Sequence, residues 1–250
     1  MIIGQKKIFI GAHIVWWLMI LLILVVLAGG PGVHLGLWSP LNGFMLSMMG
    51  SFLGGLALAV LSLIVVIIIA IKEARGGMAR AVMALCAGLV LAAPVGYLRV
   101  SDVPPIHDIT TDLANPPEFM ALVGNRGEKA NSLTYDVDER AQLTDMQSKY
   151  YPEIEPLLVP RTPQTLFARA LEVATLMGWQ ITGVDTTAHR FEATDRTFWF
   201  DFADDIVVVI TQTENGSRLD MRSISRVGIS DLGANAKRIM AFQKKLLAQL

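Results

Sequence analysis

Cysteine is nearly absent from the sequence, because Cys86 is the only one in 250 residues. A small domain held together by disulfide bonds and a zinc site built from several thiolates are therefore excluded. Charged residues are also scarce, at 17% of the chain, and they balance to a net charge of −1. This composition excludes a disordered chain and a basic nucleic-acid-binding protein, so no nucleic-acid partner is expected.

Motifs for cofactors and metals are missing from the sequence as well. We find no phosphate-binding loop, dinucleotide fingerprint, nucleophile elbow or Cys/His zinc spacing. We therefore expect neither a cofactor nor a metal ion.

Apolar residues are abundant: they make up 53% of the chain and raise the mean hydropathy to +0.49. Three apolar runs are long enough to cross a hydrocarbon layer of ~30 Å at ~1.5 Å per helical residue. They predict a membrane anchor over residues 1–98, and the first run exceeds the apolar part of a cleaved signal peptide. The predicted transmembrane helices cover about residues 8–28, 44–71 and 79–98.

Basic residues near the ends of these helices predict their orientation, because an excess of Lys and Arg stays in the cytoplasm. They precede the first helix and lie between the second and third, whereas the connection between the first two has none. The amino terminus is therefore predicted to be cytoplasmic and the chain after residue 98 periplasmic, in a bacterial inner membrane. The basic residues are Lys6, Lys7, Lys72, Arg75 and Arg80.

Small residues recur at helical spacing in the second and third spans, and such ridges mark packing seams in lipid. One interpretation is that the three helices pack on each other, and the other is that a seam docks a partner membrane protein. If Arg80, at the edge of the third span, is counted with the connection between the second and third spans, the spans have no charged residue, so anchoring is favoured over transport. The small residues are Gly50, Ser51, Gly54, Gly55, Ala59, Ala84, Gly88, Ala92 and Gly96.

The exported half begins with a proline-rich arm, residues 99–125, whose prolines favour an extended chain. Residues 126–250 are predicted to form an α+β soluble domain with an antiparallel sheet flanked by helices. The turn at Asn215-Gly216 predicts a hairpin, and the change of apolar phase between Met221 and Ile224 predicts a bulge. Helices are predicted over about residues 139–149, 162–177 and 232–250, and strands over about 179–185, 190–194, 197–202, 206–213 and 218–225.

The densest polar cluster ends the last strand and enters the final helix. Its arginines, serines and helix-start N–H groups would bind an anion such as a phosphate or a carboxylate. In the alternative interpretation, Ser230 or Asp231 is only a helix cap, and the arginines pair with Asp201, Asp204 or Asp205. The predicted ligand-binding residues are Arg222, Ser223, Ser225, Arg226, Ser230, Asp231 and Asn235.

A histidine between carboxylates in the arm is the candidate for catalysis. His107 with Asp108 and Asp112 would supply a base, while Arg222 and Arg226 hold an anionic substrate in a hydrolase-type envelope enzyme. One histidine with two aspartates does not specify catalysis or metal binding, and a solvated arm explains it equally well. A non-enzymatic binding function is therefore favoured.

A series of linked motifs runs through the exported half. In chain order, they are Ile109–Asp112, Asn115–Phe119, Tyr151-Pro152, Pro156-Leu157, Met177–Trp179, Arg190–Thr194, Phe202–Asp205, Arg222–Asp231, Asn235 and Arg238-Ile239. With these motifs, residues 101–250 resemble the bacterial and plastid family called domain of unknown function 1499. Membrane-anchored members of that family look like this chain, and the resemblance implies no particular reaction.

Together these observations predict an inner-membrane-anchored periplasmic accessory module. Its expected ligand is a membrane-protein partner or an amphiphile with an anionic head group.

Overall fold

The computed structural model of the protein describes residues 9–72, 76–100, 102–134 and 137–250. The chain divides into two compact units, residues 1–102 with 199–201, and residues 103–198 with 202–250. Lys6, Lys7 and Arg75, on which part of the predicted orientation depends, lie outside the described residues.

Among its described residues, the first unit contains three stretches of helix that are long and apolar enough to cross a membrane. This confirms the prediction of three apolar spans. The second stretch is continuous from Pro40 to Ile71, and the Ser39 side chain caps its start by accepting the N–H of Asn42. A five-residue π-helical segment interrupts its α-helical winding. The helices are α1 (Ile10–His34), α2 (Pro40–Met49), the π-helical segment (Gly50–Gly54), α3 (Gly55–Ile71) and α4 (Met78–Val100).

Small residues allow α3 and α4 to approach closely. A Cβ atom added to Gly55 would lie 2.7 Å from the carbonyl oxygen of Gly88, and the reverse distance is 2.6 Å. The Ser51 hydroxyl also donates a hydrogen bond to the carbonyl of Leu91. These seam residues therefore pack within the chain, and docking of a partner protein stays a prediction.

Arg80 lies in the first turn of α4, so the prediction that the spans have no charged residue is wrong. Its Nη1 atom is 2.8 Å from Nδ1 of His13 in α1. The helix starts at Met78, ahead of the arginine, and His13 gives one nitrogen of the guanidinium a polar neighbour at this end of the helix.

In the second unit, the described residues form one antiparallel sheet of six strands with helices packed against it, which confirms the predicted α+β class. The strands are β1 (Asp108–Thr110), β2 (Leu157–Val159), β3 (Gln180–Asp185), β4 (Arg190–Arg196), β5 (Ala203–Thr213) and β6 (Gly216–Ser225). Their order in the sheet is β1-β6-β5-β4-β3, and β2 pairs with a different stretch of β6 on the same edge as β1. Two of the strands, β1 and β2, were not predicted.

Helices cover one side of this sheet, which we call the helix face. The predicted start of the middle helix is confirmed, because the Thr162 side chain accepts the N–H of Thr165 and Pro163 occupies the first turn. Trp179 stacks on Phe242 of the last helix at 5.1 Å within the main apolar core. The helices are α5 (Val137–Tyr150), α6 (Pro163–Leu176) and α7 (Ala234–Leu247).

Loops cover the opposite side of the sheet, which we call the cleft face. Phe119 and Leu122 from the arm form a smaller apolar core there with Val207 and Ile224. The central strands are therefore buried on both faces, so the change of apolar phase in β6 reflects a second core. The predicted bulge is wrong, since β6 pairs in regular register with β5.

The aromatic run at residues 197–202 is a loop between β4 and β5, so the strand predicted there is wrong. Thr197 and Phe202 close the loop, because the Thr197 N–H donates to the Phe202 carbonyl at 2.9 Å. Asp201 has a φ of 52°, which is incompatible with a strand. The alternating aromatic residues predicted a strand, but the chain forms a loop at these positions.

Candidate functional site

A cleft of about 860 Å³ opens on the cleft face of the sheet. Its walls are the arm residues 114–119 and the loop residues 123–134, with one side chain each from α5 and β6. The lining is mixed, because Phe119 and Leu133 are apolar while three arginines are cationic. The arginines are Arg126, Arg140 and Arg222.

Arg222 is held rigidly in the wall of this cleft. Its Nη2 and Nε atoms donate to the two oxygens of Asp108 at 2.6 and 3.0 Å, and the side chain is 4% exposed. It also donates to the carbonyl of Leu133 at 3.0 Å and lies 5.5 Å from the centre of the Phe119 ring. The charge of Arg222 is therefore neutralised by a buried carboxylate.

Arg126 and Arg226 share a single carboxylate, Asp205. Arg126 Nε donates to it at 2.7 Å and Arg226 Nη2 at 2.9 Å, and the Thr194 hydroxyl adds a bond of 2.8 Å. The Asp205 side chain has no exposed surface. Two guanidinium groups thus meet one negative charge, which leaves this cluster with one positive charge in excess.

One nitrogen of Arg126 is without an acceptor. Its Nη1 donates to the carbonyl of Asn131 at 2.5 Å, but Nη2 is buried and has no hydrogen-bond partner among the described residues. The side chain is only 6% exposed. Buried charged donors without an acceptor are rare in proteins, so this atom needs an explanation.

Three of the predicted ligand-binding residues lie on the helix face instead. The Ser223 hydroxyl donates to the Asn235 side-chain oxygen at 2.7 Å, and the Asn235 amide donates to Ser225 Oγ at 3.0 Å. Arg238 Nη1 donates to the same Asn235 oxygen at 2.5 Å. Ser223, Ser225 and Asn235 are therefore fully engaged in joining α7 to the sheet.

Ser230 and Asp231 close the loop before α7. Ser230 Oγ donates to the carbonyl of Pro104 at 3.0 Å, while the Asp231 carboxylate accepts the N–H groups of Gly233 and Asn235 at 2.7 and 2.8 Å. The N-cap of α7 is Gly233, so the predicted cap at Ser230 or Asp231 is wrong in position, although Asp231 accepts the N–H of Asn235 in the first turn. Burial raises the pKa of Asp231 despite the two backbone hydrogen bonds, which act in the opposite direction.

The catalytic candidates do not assemble into an acid–base group. His107 Nδ1 is 3.3 Å from the carbonyl of Ile229, Asp108 accepts from Arg222, and Asp112 accepts from Arg218 at 2.6 Å. Within the described part of the chain, no hydrogen bond or ion pair joins His107 with either aspartate. Across all the residues that the structure describes, no group of three or more His, Cys, Asp or Glu side chains could hold a metal ion.

The structure thus brings together only part of the predicted site and adds residues that sequence reasoning missed. Arg222 lines the cleft. Arg226 pairs with Asp205, the carboxylate that also holds the cleft residue Arg126. Arg126 and Arg140 were not predicted, because an arginine in a loop and one on a polar helix have no distinguishing spacing. The approach of Asn131 to Arg226, whose carbonyl accepts the Asn131 N–H at 2.7 Å, was equally invisible in the sequence.

Three apolar helices followed by an α+β domain with a charged cleft define a membrane-associated protein with one folded soluble domain. The chain belongs to the family described as protein of unknown function DUF1499, whose profile matches residues 108–246. This match confirms the resemblance seen in the sequence. A comparison with curated proteins finds no match.

Proposed function

We propose that the protein is a membrane-anchored binding protein whose soluble domain takes up an amphiphile with an anionic head group. The cleft on the cleft face is the binding site. Arg126 and Arg140 attract the head group, and the Phe119 and Leu133 side chains contact the apolar tail.

The observation that carries this proposal is the mixed lining of the cleft. A volume of about 860 Å³ falls in the range of small-molecule sites, which are roughly 300–1,000 Å³. An apolar wall alone would suit a neutral lipid, and arginines alone would suit a soluble anion. The combination in one cleft favours a molecule with both parts.

An amphiphile is preferred to a membrane-protein partner as the ligand. The small residues that would form a docking seam, such as Gly55 and Gly88, already pack against each other. A domain tethered beside the bilayer also meets its amphiphile at high local concentration.

We further propose a bacterial inner membrane, with the amino terminus in the cytoplasm and the soluble domain in the periplasm. The support is the distribution of basic residues: Lys72 and Arg80 flank the connection between the second and third spans, and the connection after α1 has no Lys or Arg. Alkylation of single cysteines introduced at positions 36 and 215 in intact cells tests this orientation. Both positions should react with an impermeant reagent, and protection of position 215 would contradict it.

Calorimetric titration of the full-length protein in phosphatidylcholine nanodiscs tests the binding function. The probes are octanoate, octyl phosphate and octanol, with nanodiscs lacking protein as the blank. At least one of the two anionic probes should bind with a stoichiometry of one, and octanol should bind at least about tenfold more weakly, because it lacks a charged partner for the arginines.

Two variants with the same charge change complete this test. Arg140→Glu places a negative charge in the cleft and should weaken binding of the anionic probe by at least about tenfold. Arg169→Glu changes an exposed arginine on α6 and should leave the affinity unchanged. Equal affinities of octanol and the anions, or an Arg140→Glu variant that binds like the wild type, would contradict the proposed function.

A further inference from the structure

The arginines around the cleft differ in how far their charge is neutralised. Arg222 has both oxygens of Asp108 as acceptors. Arg126 donates to one oxygen of Asp205, and both oxygens of this carboxylate also accept from Arg226. Arg140 makes no hydrogen bond or ion pair with any residue that the structure describes. Two positive charges are therefore available to a ligand, and they belong to Arg126 and Arg140.

Among the described residues that line the cleft, Glu118 is the acidic one, and it is exposed to solvent. Water screens an exposed carboxylate much more strongly than a buried one. Arg126 is held beside the fully buried Asp205, so its surplus charge is felt over a longer range than that of a surface residue.

We infer that the head group bound in this cleft is a phosphate, whose oxygens accept hydrogen bonds from Nη2 of Arg126 and whose charge Arg140 complements. This inference rests on the proposed function and names the chemical class of its ligand. A phosphate monoester has three strong acceptor oxygens and about −1.5 to −2 charges, whereas a carboxylate has two oxygens and one charge. The phosphate therefore matches two surplus guanidinium charges better.

The unsatisfied nitrogen of Arg126 is the second, independent sign of a ligand at this point. It belongs to a side chain that is 94% buried, by its 6% exposure, and that lines the cleft. Because Nη2 is covered, an acceptor reaches it after a small movement of the adjoining loop. The exposed residues 127–129 lie between the hydrogen-bonded Arg126 and Asn131, so they are the part of the loop that can move.

Calorimetry of the full-length protein in phosphatidylcholine nanodiscs separates the phosphate from other anions. Octyl phosphate should bind at least about tenfold more tightly than octanoate. Inorganic phosphate, titrated alone, distinguishes the source of the group: weaker binding than octyl phosphate identifies a lipid-like head group. Inorganic phosphate that binds as tightly as octyl phosphate keeps the phosphate site but removes the apolar tail from the proposed function.

Variants of Arg126 locate the site. Arg126→Gln should weaken octyl phosphate binding by about 10- to 100-fold, and Arg126→Lys should weaken it less because the charge remains. Arg161→Gln removes one charge from an exposed arginine outside the cleft and should have no effect. Circular dichroism of each variant reports whether it is folded, and the lysine variant keeps the test valid if the glutamine variant unfolds.

The outcomes separate the two proposals. Octanoate binding in the cleft without preference for octyl phosphate would overturn the phosphate inference and leave the proposed function standing. Octyl phosphate binding that neither Arg126 variant changes would overturn the assignment to Arg126. Absence of binding by either anion would overturn both proposals.

Discussion

The two faces of the sheet solve the same problem, a buried arginine, in different ways. On the helix face, Arg238 donates to Asp195 at 2.8 Å, to Asp204 at 2.5 Å and to the Asn235 oxygen. On the cleft face, Arg126 shares one carboxylate with a second arginine and keeps one nitrogen without an acceptor. Neighbouring residues of β5 contribute a carboxylate to each cluster, Asp204 on the helix face and Asp205 on the cleft face.

The difference indicates which cluster serves the fold and which serves a ligand. Burial alone would lower the pKa of Arg238, but Asp204 and Asp195 raise it above its ordinary value. The two carboxylates therefore stabilise the charged form of this buried arginine. A network with all its partners present rigidifies a core, whereas a partly satisfied network costs free energy unless something completes it. Arg238 should therefore matter for stability and Arg126 for binding.

Removing Arg238 should produce the largest loss of stability. Arg238→Ala leaves the buried Asp204 without its cation, and breaking a buried ion pair in this way costs about 3–5 kcal/mol. Urea unfolding of the full chain in neutral detergent, followed by circular dichroism, measures the change. Lys237→Ala, at an exposed position on the same helix, is the control and should stay near the wild type. A loss below about 1 kcal/mol for Arg238→Ala would remove the distinction between the faces.

Gln147 joins α5 to β1 and so positions the edge that carries Asp108. Its side chain accepts from the Thr110 N–H at 3.0 Å and donates to the Thr110 carbonyl at 2.6 Å. Gln147→Ala leaves two buried backbone groups without partners and should cost about 2 kcal/mol in the same urea experiment. Gln142→Ala, on the exposed side of α5, is the matched control, and equal stabilities of the two variants would contradict the assigned role.

Removing Arg126 should affect stability much less than removing Arg238. Asp205 keeps Arg226 and the Thr194 hydroxyl in the Arg126→Met variant, so the cost should be about 1 kcal/mol or less. The same urea experiment measures it. A loss as large as that of Arg238→Ala would show that Arg126 is a structural residue.

Asp231 should give the smallest effect, and it depends on pH. Because its pKa is raised above 3.8, the folded chain holds the proton more tightly than the unfolded chain. This contribution to stability is fully present below pH 3.8 and is lost as the pH rises through the raised pKa. The stability of the wild type relative to Asp231→Asn should therefore fall across that interval, measured by urea unfolding at successive pH values. A relative stability that rises with pH would contradict the direction.

Much of the fold followed from the sequence because its signals are local. Apolar length predicted the three spans, and Thr162-Pro163 predicted the start of α6. Strands β1 and β2 escaped prediction because each has only three residues and depends on pairing with distant β6. The strand predicted at 197–202 is wrong for a related reason: its alternating pattern is local, and it does not reveal that the chain turns back there between β4 and β5.

The candidate site followed from the sequence only in part. The cluster from Arg222 to Asn235 was visible as a dense polar segment, but strand alternation sends its members to opposite faces of the sheet. Arg222 contacts Asp108, 114 positions away, and Arg126 contacts Asp205, 79 positions away. Such pairings depend on the tertiary fold, so local spacing could not reveal which arginine keeps an unsatisfied nitrogen.

The most direct test of the account is mass spectrometry of the lipids that stay bound to the full-length protein after extraction in mild detergent. The account predicts one phosphate-bearing amphiphile per chain, retained by the wild type and by Arg161→Gln but lost from Arg126→Gln. Equal retention by all three proteins, or no lipid enriched above the composition of the membrane, would contradict it.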